Sequence, residues 1–208
     1  MLIFAQSLLT AAISVISSAV TTYGPMIARY GSMILKTVGD NLPTVLKNVE
    51  LMANLTGVSG CQAQELGAKA AQSEKKPEDF DSFNDYIHHL EHDVTLDETE
   101  KNDTDTLCHQ AAGAAILLTA MGDGLNSKIS LPLLNGATQV GIAPAVIIEL
   151  IKAYDRSGLN GDDFAGYLDS SLPLADTAKH SQALMAAFQK ANPAMTLEQA
   201  EDAVMALR

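Results

Sequence analysis

The chain has 208 residues, of which 47% are apolar and only 18% are charged, and it contains no Trp. This length suits one large domain or two small ones, and the apolar content is enough for a sizeable core. The net charge of −12 argues against a nucleic-acid groove, because phosphate binding depends largely on Lys and Arg. Ala and Leu outweigh the β-branched residues, which favours helices over strands.

The charge is distributed unevenly along the chain. Residues 1–28 contain no charged side chain, and residues 1–73 hold four bases and three acids. Residues 74–106 hold twelve acids and three bases, whereas residues 107–208 hold ten acids and six bases. We therefore predict an apolar N-terminal helical region (1–73), an acidic amphipathic helix with a mobile linker (74–106), and a C-terminal helical domain (107–208).

The first 23 residues repeat in steps of seven, which is two helical turns and places each repeating set on one helix face. Some of these repeating sets consist of apolar residues, and another is a line of small hydroxyl residues along the helix. Small residues let two helix backbones approach closely, especially in membranes. The residues predicted to pack in an oligomer or a membrane are Ala5, Ser7, Leu9, Thr10, Ala12, Ser14, Ile16, Ser17, Ala19, Thr21 and Gly24.

The polar side of this first helix carries Ser and Thr, where a solvated helix surface normally carries Lys and Glu. Lipid, the rest of the chain or further copies of the chain must therefore cover it. Residues 2–20 have the length and hydropathy of a membrane span, but eight of residues 6–22 are Ser, Thr or Gln. No basic residue precedes the apolar run, which argues against a secretory signal. The pattern favours self-association, with a membrane anchor as the alternative.

The next helices are predicted from Pro and Gly punctuation. Gly24-Pro25 begins a second helix and Leu42-Pro43 a third, whose inward residues are predicted to include Leu55. A short helix covers residues 61–72, and Pro77 breaks the chain after it. Apolar residues then recur at spacings of 3, 4, 3 and 4, which indicates an amphipathic helix. They are Phe80, Phe83, Ile87, Leu90 and Val94.

The C-terminal part also shows helix boundaries. Residues 95–98 read as a capping box, and residues 97–106 are predicted to be mobile. A helix of small residues over 107–121 is predicted to stop at Gly122-Asp123-Gly124. Pro144 begins another helix that Gly158 closes, and Thr196 with Gln199 forms a second capping box. The fold class is therefore all-α: helical hairpins or a bundle, with an elongated apolar N-terminal region and a smaller C-terminal domain.

One histidine cluster has the spacing of a metal site. His88 and His92 are four residues apart on one helix face, and the letters HHLEH match the H-x-x-E-H pattern of inverzincin metallopeptidases over five residues. A catalytic zinc needs a third protein ligand, for which Asp85 and Glu149 are candidates. We interpret the segment as a solvated polar flank, with a structural or adventitious metal site and a zinc-dependent hydrolase as the alternatives.

Two further patterns have structural interpretations. Residues 155–163 resemble a calcium loop, but an EF-hand beginning at Asp155 would need Gly where Asn160 stands and Glu where Gly166 stands. A helix stop followed by a cap at Asn160 explains the segment better. Cys61 and Cys108 are interpreted as two buried thiols, because two cysteines do not make a disulfide scaffold.

Together these features predict a non-enzymatic structural protein whose N-terminal helices form a homo-oligomer, as a filament, a ring or a membrane-inserted assembly. A membrane-associated or exported assembly is favoured over a free cytoplasmic monomer. The alternative is a soluble, acidic binding module that docks a basic protein partner at residues 78–105. We expect neither a cofactor nor a nucleic-acid partner.

Overall fold

The computed structural model describes residues 2–97 and 102–207, and within these ranges the chain forms helices and turns without any strand. The all-α prediction is therefore confirmed, and the helices pack as in a bundle. Contacts divide the chain into two compact units, Met1–Gly124 and Leu125–Arg208. The boundaries predicted after residues 73 and 106 both lie inside the first unit.

The helices of the first unit are separated mainly by the Gly and Pro residues that predict helix boundaries in the sequence. Gly24 has a φ of 84° and Pro25 begins the next helix, as predicted. In the turn between the helix that ends at Leu55 and the helix that begins at Ala63, the Ala63 backbone N–H donates to Glu50 Oε1 over 2.8 Å. The helices are α1 (Leu2–Ser18), α2 (Val20–Tyr23), α3 (Pro25–Val38), α4 (Leu42–Leu55), α5 (Ala63–Gln72), α6 (Phe83–His92) and α7 (Asp103–Leu125), which ends at the boundary.

Helix α7 is the central helix of this unit, because its middle is buried on every side. Its buried residues are Cys108, Ala111, Ala112, Gly113, Ala114, Ala115, Ile116, Leu117, Leu118, Ala120 and Met121. The Cys108 thiol contacts the Ala12 carbonyl oxygen of α1 at 3.6 Å. Helix α5 crosses α7 so closely that a Cβ added to Gly67 would overlap the His109 carbonyl oxygen.

The predicted helix of small residues is confirmed but longer at both ends. The predicted stop at Gly122-Asp123-Gly124 is wrong, since the helix continues to Leu125. Its first turn, beginning at Asp103, lies in the segment predicted to be a mobile linker. Asn102 Oδ1 accepts the Asp105 backbone N–H over 2.9 Å, and the acidic residues there complement the helix dipole.

The amphipathic helix of the acidic segment is also confirmed, in a shorter form. Helix α6 buries Phe83, Ile87 and Leu90 as predicted, together with Tyr86. The two ends of the predicted stripe lie outside the helix and are half-buried. The capping box predicted at residues 95–98 extends beyond the residues that the structure describes.

The second unit consists of helices whose ends follow local signals. Gly158 ends one of them in the left-handed conformation, at φ 61°. The Thr196 capping box is confirmed: Thr196 Oγ1 accepts the Gln199 N–H over 3.2 Å, and Gln199 Oε1 accepts the Thr196 N–H over 2.9 Å. The described α-helices are α8 (Leu131–Gln139), α9 (Pro144–Ser157), α10 (Phe164–Leu168), α11 (Leu174–Ala191) and α12 (Leu197–Met205). Helix α11 packs against both α9 and α12.

A buried histidine lies among aromatic rings in the core of the second unit. His180 is 2% exposed, and its Nδ1 is 2.6 Å from the Tyr154 hydroxyl oxygen. The Tyr167 ring stacks on His180 with 5.5 Å between centroids, while its hydroxyl lies 3.1 Å from Ser181 Oγ. Burial lowers the pKa of His180, so the ring is held neutral.

Candidate self-association surface

Helix α1 has an inner face that packs within its own unit. Ala12 and Ile16 are fully buried, and α1 packs along α3, where Ile16 lies against Gly31. These two members of the predicted packing set therefore serve the core of this chain. They cannot contact a second molecule unless the unit opens.

The opposite side of the helix is exposed and carries the line of small hydroxyl residues. We call this surface the α1 outer face, and it comprises Ser7, Thr10, Ser14, Ser17 and Thr21 of α1 and α2. Val15 and Val20, at 45% and 43% exposed, add apolar area to the same two helices. Leu9 and Ala19 are half-buried, while the side chain of Ala5 lies outside the described residues.

Three hydroxyls of this segment donate back to the backbone of their own helix. Thr10 Oγ1 donates to the Gln6 carbonyl oxygen at 2.8 Å, and Ser17 Oγ to that of Ser14 at 3.1 Å. Ser18 Oγ also donates to the Ser14 carbonyl oxygen, at 3.0 Å. Because these donors already have acceptors, a contacting surface need not supply them.

The last member of the predicted set, Gly24, is buried by the acidic segment. A Cβ on this glycine would lie 2.9 Å from Glu78 Oε2, and Lys76 Nζ donates to the Thr22 carbonyl oxygen at 2.6 Å. The beginning of the acidic segment thus covers the end of α2. Gly24 contributes to a joint inside the unit and not to the α1 outer face.

Neighbouring helices of this unit expose apolar side chains as well. Met26 and Met33 of α3 and Leu51 of α4 are each 45% exposed, and Leu55 is 62% exposed. The prediction that Leu55 points inward is therefore wrong. Within the described residues, no helix combines the length and the apolar content needed to cross a membrane.

The histidine cluster is a stacked pair without a third ligand. His88 and His92 are exposed, their ring centroids are 4.2 Å apart, and His92 Nδ1 lies 2.9 Å from the His88 carbonyl oxygen. Of the candidate third ligands, Asp85 accepts from Ser82 Oγ at 2.6 Å and Glu149 pairs with Lys152 at 2.8 Å. Over residues 2–97 and 102–207, no three His, Cys, Asp or Glu side chains are grouped to hold a metal ion.

The intervening histidine is part of the structure of α6. His89 Nδ1 lies 2.9 Å from Asp93 Oδ2, and its Nε2 lies 3.2 Å from Ser73 Oγ. The hydrogen bond from His89 lowers the pKa of the Asp93 carboxyl group. This residue therefore connects the end of α6 with the end of α5.

The segment that resembles a calcium loop serves as a helix cap. Asn160 Oδ1 accepts the Asp162 backbone N–H at 3.2 Å, as the capping interpretation predicts. Asp162 Oδ1 accepts from Ser130 Oγ at 2.8 Å, which ties the loop to the start of α8. These carboxylate and amide oxygens are thus engaged in local structure.

Both cysteines are free thiols. Cys108 is buried, as predicted, whereas Cys61 is half-buried. Burial raises the pKa of the Cys108 thiol to about 11 and raises that of Cys61 as well. Neither thiol is therefore poised as a thiolate nucleophile at neutral pH.

A polar network around Lys69 was not foreseen from the sequence. Lys69 is 9% exposed, and its Nζ lies 3.2 Å from Glu65 Oε1 and donates to the Glu91 carbonyl oxygen at 3.2 Å. The Ser59 hydroxyl donates to Glu91 Oε1 at 2.5 Å. The hint in the sequence was one lysine within the Ala-rich helix α5, but its partner on α6 is distant along the chain.

Comparison with protein families, with curated proteins and with solved structures finds no match to this chain. The functional argument therefore rests on the surfaces and side chains of the chain itself. Among these, the α1 outer face combines exposure, small side chains and a complete lack of charge.

Proposed function

We propose that this chain is a non-enzymatic structural protein that assembles with copies of itself through the α1 outer face. The observation that carries the proposal is an exposed helix surface without a charged group, in a chain whose net charge is −12. Association there would desolvate no ion, and the Thr10 and Ser17 hydroxyls would keep their backbone acceptors.

Small side chains also allow a close helix–helix contact. Serine and threonine leave room for the backbone of a second helix to approach, and Val15 and Val20 add exposed apolar area on the same two helices. A two-fold arrangement that pairs the α1 outer face with itself would close as a dimer. A contact between this face and a different surface would instead give a ring or a filament.

A charge placed on the α1 outer face is expected to block assembly without disturbing the fold. Ser14→Glu is the change of choice, because Ser14 is exposed within the unit. An unpaired carboxylate buried between copies costs several kcal/mol, so the association constant should fall by about 100-fold or more. Molar mass from light scattering, measured over a range of protein concentrations, reports the change.

The matched control is Thr44→Glu, which places the same charge on an exposed position in the first turn of α4. Far-UV circular dichroism should show that both variants stay folded. Deleting residues 1–23 is a poorer test, because it removes Ala12 and Ile16 from the core. A wild-type chain that stays monomeric at all concentrations, or a Ser14→Glu variant that assembles as well as Thr44→Glu, contradicts the proposal.

Lipid vesicles test whether the α1 outer face contacts a membrane instead of a second copy of the chain. Wild-type protein and the Ser14→Glu variant can be sedimented with phosphatidylcholine vesicles under identical conditions. If the wild type is monomeric in solution but sediments with vesicles, and the variant does not, then the α1 outer face meets lipid and not another copy.

A binding module for a basic partner is the second candidate. The observation in its favour is that Asp81, Asp85, Asp93 and Asp97 are all exposed. Salt-sensitive binding of polylysine by a monomeric wild-type chain, lost when these four residues are changed to Asn, would support this candidate. The Ser14→Glu change should leave such binding intact.

A further inference from the structure

An open groove runs between α9 and α11 within the second unit. Its volume is about 280 Å³, just below the usual range for ligand sites. The buried residues Ala153 and Ala183 form part of its floor. Arg156, Lys179 and Gln182 line it with exposed polar groups. The groove therefore combines a short apolar floor with nitrogen donors.

The charged side chains that line the groove are both basic. Arg156 and Lys179 line it, and none of its described lining residues is Asp or Glu. This is unusual in a unit that holds nine acids and six bases between residues 125 and 208. The positive charge is thus local to the groove and does not reflect the charge of the unit.

The Arg156 side chain is exposed and can donate to a ligand in the groove. Within the part of the chain that the structure describes, it forms no ion pair. Lys179 pairs with Asp176 at 2.9 Å, but both side chains are about half exposed, at 61% and 48%. Such a surface pair is weak and screened by salt, so the ammonium group can also face a ligand in the groove.

We propose that this groove binds a small organic anion, in which a phosphate or carboxylate group is attached to a short apolar stem. The Arg156 guanidinium group would contact the anion with two parallel N–H donors, and Lys179 would add a point charge. The Gln182 amide would donate a further hydrogen bond, and the stem would lie on Ala153 and Ala183. This site is separate from the α1 outer face and does not depend on self-association.

The proposal is tested by calorimetric titration of the full chain at low salt with three probes: inorganic phosphate, phenyl phosphate and benzoate. We expect phenyl phosphate or benzoate to bind saturably and about tenfold more tightly than inorganic phosphate, because of the apolar floor. The stronger of the two stemmed probes identifies the anionic group. If none of the three probes saturates below about 20 mM, the proposal is overturned.

Substitutions show where the anion binds. Arg156→Gln and Lys179→Gln should each weaken binding by about tenfold or more, and Arg156→Lys should restore only part of the loss. The control is Lys190→Gln, which removes an exposed charge from α11 outside the groove and should change the affinity less than twofold. Equal weakening by Lys190→Gln and Arg156→Gln would show a general charge effect and would contradict the site. Far-UV circular dichroism checks that each variant is folded.

Discussion

Replacing Gly67 or Gly113 by alanine is expected to lower the free energy of unfolding by about 3 kcal/mol or more. The two glycines lie at the crossing of α5 and α7, where the helix backbones are in direct contact. A Cβ on Gly67 would overlap the His109 carbonyl oxygen, and a Cβ on Gly113 would overlap the Ala63 carbonyl oxygen. A backbone cannot move aside as a side chain can, so the helices must separate along the core of the unit.

The control for this prediction lies in the same helix. A Cβ on Gly124 would have no neighbour within 4 Å, so Gly124→Ala should stabilise α7 by about 0.5–1 kcal/mol through helix propensity alone. Urea unfolding followed by far-UV circular dichroism compares the three variants with the wild type. If Gly67→Ala and Gly113→Ala unfold at the same urea concentration as the wild type, the close crossing is wrong.

Acidification is expected to destabilise the second unit through His180. Burial lowers the pKa of His180, and the nearby carboxylates Asp163 and Asp176 oppose this only in part, while Lys179 reinforces it. The unfolded chain therefore takes up a proton near pH 6.5, while the folded unit does not until a lower pH. Stability is complete above about pH 6.5 and falls below it, with a slope approaching 1.4 kcal/mol per pH unit.

The chemical shift of the His180 ring protons against pH measures this directly and should give a pKa below 6.5. Tyr154→Phe removes the hydrogen-bond partner of Nδ1 and should cost about 1–3 kcal/mol at pH 7.5, because the ring stays buried. His180→Gln should flatten the stability profile between pH 7 and pH 5. A wild-type profile that is equally flat over this interval would contradict the argument.

Local signals in the sequence predicted most of the helix ends. The Gly24-Pro25 joint, the stop at Gly158 and the capping box at Thr196 are confirmed, because each depends on groups within four residues of one another. The predicted helix stop at Gly122-Asp123-Gly124 is wrong, because a local glycine signal alone does not decide where this helix ends. Glycine lowers helix propensity by only about 1 kcal/mol, so α7 continues for one more turn beyond its buried part, which ends at Met121.

The seven-residue repeat predicted correctly which residues of α1 share a face. It could not predict that the face with Ala12 and Ile16 would lie in the core while the line through Ser14 would lie outside. That choice depends on the surface that α3 and α7 present, which is set elsewhere in the sequence. The central position of α7 was not predicted for the same reason, because it depends on the helices around it. The Ala and Gly residues of α7 permit close contacts on all sides.

Pairs that are distant along the chain were not predicted. Lys69 and Glu91 are 22 residues apart, and Tyr154 and His180 are 26 residues apart. Each of these residues looks like an ordinary helix residue in the sequence. Only the packing of two helices brings such a pair together, so no local pattern marks it. The groove at Arg156 was missed for the same reason, since α9 and α11 supply it jointly.

The central position of α7 also affects the order in which the chain can fold during synthesis. The contact between Ala12 and Cys108 spans 96 residues, so α1 is made long before α7, which contacts its inner face at Ala12. At ribosomal rates of roughly 5–20 residues per second, Ala12 of the nascent chain lacks its α7 contact for about 5–20 s. We expect a chaperone that recognises short apolar segments to bind the growing chain in this interval and to release it once α7 has emerged.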